Sequence, residues 1–183
     1  MEDIEKERFS CEALSPEQAG EHAQDIVSVY RDCWLTTDTY VNHDLNISKA
    51  DLESNFEHFD EMVKDWQEKI LTDHNRKVWV VKSRAGEIVG FCIAKHGDSE
   101  NELEYIYLLP QVQGKGKGKE LMLHALEWLG EDKPIALYGA AYNTNAQEFY
   151  SRFGFTLSDE EIKPKILPNG TALPSMKMVR DSG

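Results

Sequence analysis

The chain has 183 residues, enough for one domain with a core of its own and short for two. Hydrophobic residues make up 40%, and no apolar run approaches the ~18 residues of a membrane span, so a membrane protein is excluded and a soluble globular domain is expected. The 33 acids outweigh 20 bases, giving a formal net charge of −13; this argues against nucleic acid as the main partner and either attracts a cationic substrate or only supports solubility.

The chain opens on MEDIEKERFS, acidic and polar, with neither the basic start nor the apolar stretch of a secretory signal, so a cytoplasmic location is expected. Residues 8–14 (RFSCEAL) alternate as an edge strand does. Ser15-Pro16-Glu17 reads as an N-cap, a proline at the first helical position and an acid in the first turn. The helix it starts should run to about Trp34, with Ile26, Val27, Tyr30 and Trp34 on one face. After a polar segment, Ser48 and Asp51 cap a second helix to about Leu71, whose apolar set is Leu52, Phe56, Phe59, Val63, Trp66 and Ile70.

The period then changes. KVWVVKS and EIVGFCIAKH form a hairpin through Arg84-Ala85-Gly86, and residues 103–109 (LEYIYLL) make a third strand, stopped by Pro110. A glycine-lysine loop opens a helix to about Leu129, with Leu121, Met122, Ala125, Leu126 and Leu129 inside and Lys119, Glu120 and Glu127 outside. Pro134 precedes a strand, IALYGA. A helix over residues 143–153 should bury Ala146, Phe149, Tyr150 and Phe153 and end on Gly154. Residues 158–174 read as a long covering loop, and residues 175–179 as a final strand. With no repeats or linkers, residues 1–183 form a single α+β domain. The cysteines at 11, 33 and 92 are too scattered for a disulfide framework or a metal site, and the six histidines lack a metal-binding or nucleophile-base spacing.

The loop QVQGKGKGKELM, running from a strand into a helix, is an anion site: unpaired backbone N–H groups and the helix dipole converge there, and glycines let the backbone approach closely. It is not a Walker loop, since Gly118-Lys119 is followed by Glu120. It is not the dinucleotide fingerprint either, because glycines at offsets 0, 2 and 5 cannot be found from Gly114 or Gly116. What remains is Gln113-x-x-Gly116-x-Gly118, and further on Asn143-x-x-Ala146-x-x-x-Tyr150-x-x-x-Gly154-Phe155.

Together these resemble the two signatures of the GNAT superfamily, the acyl-CoA-dependent N-acyltransferases, over residues 102–155. The resemblance implies a central mixed, mostly antiparallel sheet of about six to seven strands flanked by about four helices. It implies acetyl-CoA as cosubstrate and no metal. The backbone of Ile106, Tyr107 and Leu108 would pair with the pantetheine arm; the loop from Gly114 through Lys115, Gly116, Lys117 and Gly118 to Lys119 would hold the pyrophosphate; Asn143 would bond the pantetheine or acyl region. Tyr150, on spacing alone a core residue one turn from Ala146, would by resemblance protonate the leaving thiolate. Glu102 or Glu104, placed by strand alternation on one face, would be the base, or steer a cationic amine; both also read as solvated strand-end acids. The segment WLTTDTY resembles acceptor-site segments of the superfamily, which makes Trp34, Thr37, Asp38 and Tyr40 substrate-binding candidates, although Trp34 and Tyr40 also suit a helix-end core. The function implied is transfer of an acetyl group to a primary amine (a small amine, polyamine or protein amine), with a non-catalytic acyl-CoA-binding module as the alternative. Nucleic acid and membrane are not expected as partners; a homodimer is compatible with the family.

Overall fold

A computed structural model describes residues 9–183. The acidic leader and Arg8 of the predicted first strand lie outside the described residues. In chain order the elements are β1 Phe9–Leu14, α1 Pro16–Glu21, α2 Ala23–Leu35, α3 Lys49–Ser54, α4 Phe59–Thr72, β2 Arg76–Ser83, β3 Ile88–Lys95, β4 Asn101–Leu108, α5 Lys117–Leu129, β5 Ile135–Ala140, α6 Thr144–Ser151, β6 Thr156–Leu157, β7 Lys165–Ile166, β8 Ala172–Leu173 and β9 Ser175–Arg180. Seven strands form one sheet in the order β1-β2-β3-β4-β5-β9-β6, antiparallel throughout except for β4 against β5.

Strand alternation sorts the core into two clusters, one on each face of the sheet. Val78 and Val80 of β2 turn one way with Phe91 and Ile93, against α2, α3 and α4; Trp79 and Val81 turn the other way with Cys92 and Ala94, against α5. A strand buried on both faces reads as a continuous apolar run, which is what VWVV is. On α5, Leu121, Met122, Ala125 and Leu129 are fully buried while Leu126 is half-buried at the edge of the stripe.

Each of the first two predicted helices is divided, so the described residues hold six α-helices rather than about four. Ser15 caps α1 as expected, with Gln18 completing a capping box, but the chain breaks at His22. Gly20 lies so close to α4 that an added Cβ would stand 2.8 Å from Leu71 Cδ2, and Gln67 Nε2 donates to the Gly20 carbonyl at 3.0 Å. One straight helix cannot both lie against α4 there and lay Ile26, Tyr30 and Trp34 on the sheet. The second helix begins with the Ser48–Asp51 capping box and breaks after Ser54, whose hydroxyl donates to the Asp51 carbonyl at 2.6 Å. The turn of residues 55–58 then carries the chain into α4.

Two further expectations change. No residue of α6 is fully buried; Ala146, Phe149, Tyr150 and the following Phe153 are half-buried, because this helix stands beside a cleft. The predicted covering loop contains the β7–β8 hairpin, held by Leu167 and Leu173, which are 1% and 3% exposed.

Candidate functional site

The cleft exists because two neighbouring strands part. Strands β4 and β5 are paired only at Asn101↔Ile135 and Glu102↔Ala136, so beyond Glu102 the edge of β4 that faces β5 has no partner strand among the described residues. Asn101 fixes the hinge: its buried side chain donates to the Leu129 carbonyl at 3.0 Å, and its Oδ1 accepts from Gly97 N at 3.2 Å. The resulting space is about 430 Å³ and is lined by residues from α2 and the segment after it, β4, β5, α6, β7, β8 and β9. Ile106, Tyr107 and Leu108, the predicted pantetheine-pairing residues, line it; their other backbone edge is paired with β3.

Glu102 and Glu104 both reach the cleft, but not by simple alternation. Leu103 pairs with Ala94 and Tyr105 with Ile93, which leaves Glu104 as an extra bulged residue. The bulge reverses the parity of the strand: Leu103 packs toward α5, Tyr105 and Tyr107 toward α2. The two acids therefore have different surroundings. Glu104 is held by Arg76, whose Nε and Nη2 donate to its two oxygens at 2.7 and 2.8 Å, with side-chain exposures of 15% and 12%. Glu102 has no hydrogen bond or ion pair among the described residues. Burial, and next the charge of Glu104, raise its pKa above the usual carboxylate range. Of the two candidates, Glu102 is the carboxylate that is free to take a proton.

The loop at the end of β4 passes through a single 3₁₀ turn at Pro110–Val112. Gln113 Nε2 donates to the Leu108 carbonyl at 3.0 Å, tying the loop to the strand end. Gly114 and Gly116 adopt φ of +76° and +78°, a left-handed conformation that glycine alone takes without strain, and Gly116 is the N-cap of α5. Gly118, one position into α5, faces Leu108 and Phe149 at 3.4 and 3.6 Å from an added Cβ. The three predicted phosphate lysines separate. Lys117 is 7% exposed and donates to Glu120 at 2.6 Å, so its charge is turned into the protein beside Cys11. Lys115 borders a groove with Phe9, Arg84 and Gln111, and Lys119 is exposed.

Across the gap from β4, Asn143 caps α6 by accepting from Ala146 N at 3.2 Å, and it lines the cleft together with Ala146 and Tyr150. The Tyr150 hydroxyl makes no hydrogen bond among the described residues. Burial first, then Tyr107 and Cys92, raise its pKa, so it stays protonated at neutral pH.

The far end of the cleft is aromatic. Trp34 stacks on Tyr40 with centroids 4.6 Å apart, and Trp34 Nε1 donates to Tyr107 Oη at 3.3 Å. Trp34 is thus both core and wall. Thr37 lines the cleft and donates to the Cys33 carbonyl at 2.9 Å, whereas Asp38 faces solvent and is not part of the lining, because the segment after Leu35 turns alternate residues outward. Sequence reasoning missed Tyr30, Tyr105 and Lys165, all of which line this end, and Arg76, which governs Glu104. Tyr30 was legible only as a helix-face residue, and Lys165 carried no local signal. Cys33 also lines the cleft, its thiol pushed up to about 12 by burial and therefore no thiolate nucleophile. Cys11, Glu120 and His124 converge within 4.8 Å beside α5, outside the cleft; Lys117 already neutralises that carboxylate, and burial pushes the Cys11 thiol up to about 11.

The sequence model of the acetyltransferase (GNAT) family matches residues 26–155. A mycothiol acetyltransferase of Acidimicrobium ferrooxidans is 31% identical over 112 residues, 54% of this chain and 36% of that protein. Another, from Streptomyces griseus subsp. griseus, is 39% identical over 90 residues, 47% of this chain and 29% of that protein. The chain thus aligns with about a third of the length of these curated relatives. Among solved structures, the PaiA N-acetyltransferase of Thermoplasma acidophilum in complex with coenzyme A superposes with a TM-score of 0.70 at 20% identity, covering 94% of this chain and 98% of that one. Spermidine N-acetyltransferase of Vibrio cholerae, in complex with CoA and spermine, gives 0.61 at 16% identity and 96% of both chains. At these identities the likeness to the solved structures is one of fold.

Proposed function

The chain belongs to the acetyltransferase (GNAT) family, and from that premise we propose that it transfers the acetyl group of acetyl-CoA to a primary amine by direct attack within a ternary complex. The observation that carries this reading is that Glu102 and Tyr150 open into one cleft, where β4 and β5 part. The unpaired edge of β4 at Ile106–Leu108 and the glycine loop at the start of α5 suit a pantetheine arm and its pyrophosphate. Gly114 and Gly116 supply the backbone conformation, and an added Cβ at either would meet nothing within 4 Å, so the loop surface is open to a ligand.

An amine in water is an ammonium with a pKa near 10 and has no lone pair to attack with. Glu102, its pKa raised by burial, accepts that proton directly or through one water. Direct attack of the amine nitrogen on the thioester carbonyl carbon forms the carbon–nitrogen bond, breaks the carbon–sulfur bond and needs no cysteine; the second proton leaves the nitrogen as the amide forms and, passed through water, replaces the one Tyr150 gives up. Tyr150 donates its hydroxyl proton to the departing sulfur. The same burial that disfavours a phenolate disfavours a bare thiolate, so the proton is shared between two groups that both prefer to be neutral. Arg76 pairs with both oxygens of Glu104, which leaves one unpaired carboxylate in the cleft instead of two.

The curated relatives are mycothiol acetyltransferases and one similar structure carries spermine; they support acetyl transfer without choosing the acceptor. The test is thiol release from acetyl-CoA with a diverse amine panel, with the acetylated product identified by mass. Turnover on at least one amine is expected. Acetyl-CoA binding with no turnover on any amine would favour a non-catalytic acyl-CoA-binding module.

A further inference from the structure

The aromatic end of the cleft holds a cation that acetyl transfer does not use. Lys165 lies on β7, and the hairpin it belongs to is fixed by the buried Leu167 and Leu173 and by Ser175 Oγ, which accepts from Lys165 N at 3.3 Å. Lys165 as a residue is exposed, and its side chain lines the cleft. Nζ stands 4.6 Å from the centroid of the Trp34 ring and donates to Tyr30 Oη at 3.4 Å. Among the described residues no carboxylate lies within ion-pairing distance of it. Burial lowers its pKa with no opposing carboxylate effect. Among the described residues, the charged groups that line the cleft are Glu102, Glu104 and Lys165, and Glu104 is paired with Arg76. One unpaired carboxylate and one unpaired ammonium remain, at separate places in the same cavity, with Tyr30, Trp34, Tyr40, Tyr105 and Tyr107 as the wall at the Lys165 end.

We infer that the acceptor is a small amine that also carries an anionic group, a carboxylate or phosphate that pairs with Lys165, on an apolar or aromatic body that lies against the tyrosine and tryptophan rings. A desolvated ammonium resting on a ring face is held by a weak attraction; an anion delivered by the ligand gives it a full partner and restores what burial removed. A polyamine would instead bring further positive charge beside Lys165. The overall acidity of the chain, which attracts cations at long range, is opposed locally in this cleft. This inference rests on acetyl transfer to an amine in the same cleft.

The test is a panel of matched acceptors with the wild-type protein: phenylalanine, its carboxamide and phenethylamine; phosphoethanolamine and ethanolamine; putrescine and spermidine. The acid should exceed its carboxamide and its decarboxylated amine in kcat/KM by about ten-fold or more. The two anion-bearing acceptors distinguish a carboxylate site from a phosphate site. Lys165→Met should shrink the acid-over-amide ratio by a similar factor, Lys165→Arg should restore it, and Lys165→Glu should shift preference toward the diamines. Acetyl-CoA binding and the unfolding midpoint of each variant report folding, and the wild-type ratios decide the preference even where a variant does not fold. Equal turnover of acid and amide, or a preference for spermidine, would overturn the inference while leaving acetyl transfer intact. Acetylation of Lys165 itself on incubation with acetyl-CoA alone would also overturn it, since the side chain would then be an acceptor and not an anion site. No turnover of any amine would remove the proposed function and this inference together.

Discussion

Replacing Arg76 with methionine separates the two carboxylates of the cleft from the cation that organises them. The guanidinium makes two charge-assisted bonds to Glu104, at 2.7 and 2.8 Å, and a third to Asp73 at 2.6 Å, at a site where side-chain exposures are 15% and 12% for the first pair. Asp73 keeps Lys95 at 2.9 Å, so the group left alone is Glu104. Removing one partner of a mostly buried pair costs about 3–5 kcal/mol, because a carboxylate is left without its counter-charge. For a domain of this size that corresponds to a fall in Tm of roughly 6–12 °C at the lower figure. The same change acts on Glu102, whose pKa Arg76 lowers and Glu104 raises. Without the cation it rises further, so the acid-side inflection of kcat/KM moves to higher pH. The assay is thiol release at saturating acetyl-CoA across the acid range, with unfolding followed separately. Combining Arg76→Met with Glu104→Gln should return both the inflection and much of the stability. An unmoved inflection with a Tm within a degree or two of wild type would refute the reasoning.

Other perturbations separate parts of the same account. Glu102→Gln should lower kcat/KM by about 10²-fold and remove the acid-side inflection, while Glu104→Gln should keep it; a pH–rate profile for each variant decides between the two carboxylates. Gly116→Ala forces a side chain into φ of +78° at the start of α5, with a cost of about 1–2 kcal/mol and a several-fold rise in KM for acetyl-CoA, read by steady-state kinetics and thermal unfolding. Asp51 accepts from Ser48, Asn169 and Thr171, which depress its carboxyl to about 2 in the folded chain. Its contribution to stability is complete above the ordinary carboxylate pKa near 4 and is lost as pH falls toward that lower value. Asp51→Ala should therefore lower Tm at neutral pH, and the difference from wild type should shrink as the pH is lowered through that window.

Local rules carried the sequence reading wherever the decisive partners are near in sequence. The N-caps at Ser15 and Ser48, the hairpin through Gly86 and the strand-loop-helix at Gly116 depend on residues within a few positions of each other, and all of them stand in the structure. The breaks at His22 and after Ser54 were hidden because tertiary packing and a side-chain competitor outweigh a favourable helical period. The bulge at Glu104 was hidden too: strict alternation placed both acids on one face, and only the pairing with β3 shows the extra residue. Arg76 lies 28 positions from Glu104, and Lys165 lies 135 positions from Tyr30, so neither partnership has a sequence signature. Lys117 looked like a phosphate ligand because it alternates with glycines, yet its position at the first turn of α5 aims it at Glu120.

The most direct test of the central claim is the Tyr150→Phe variant with acetyl-CoA saturating and an accepted amine supplied in excess, observed by the first-turnover rate of thiol release. Loss of the hydroxyl removes the proton donor and leaves the ring in place. The account predicts a fall of about 10²-fold in that rate, with the KM for acetyl-CoA nearly unaltered. A first-turnover rate equal to wild type would contradict it, and would mean that the thiolate leaves without a proton from Tyr150.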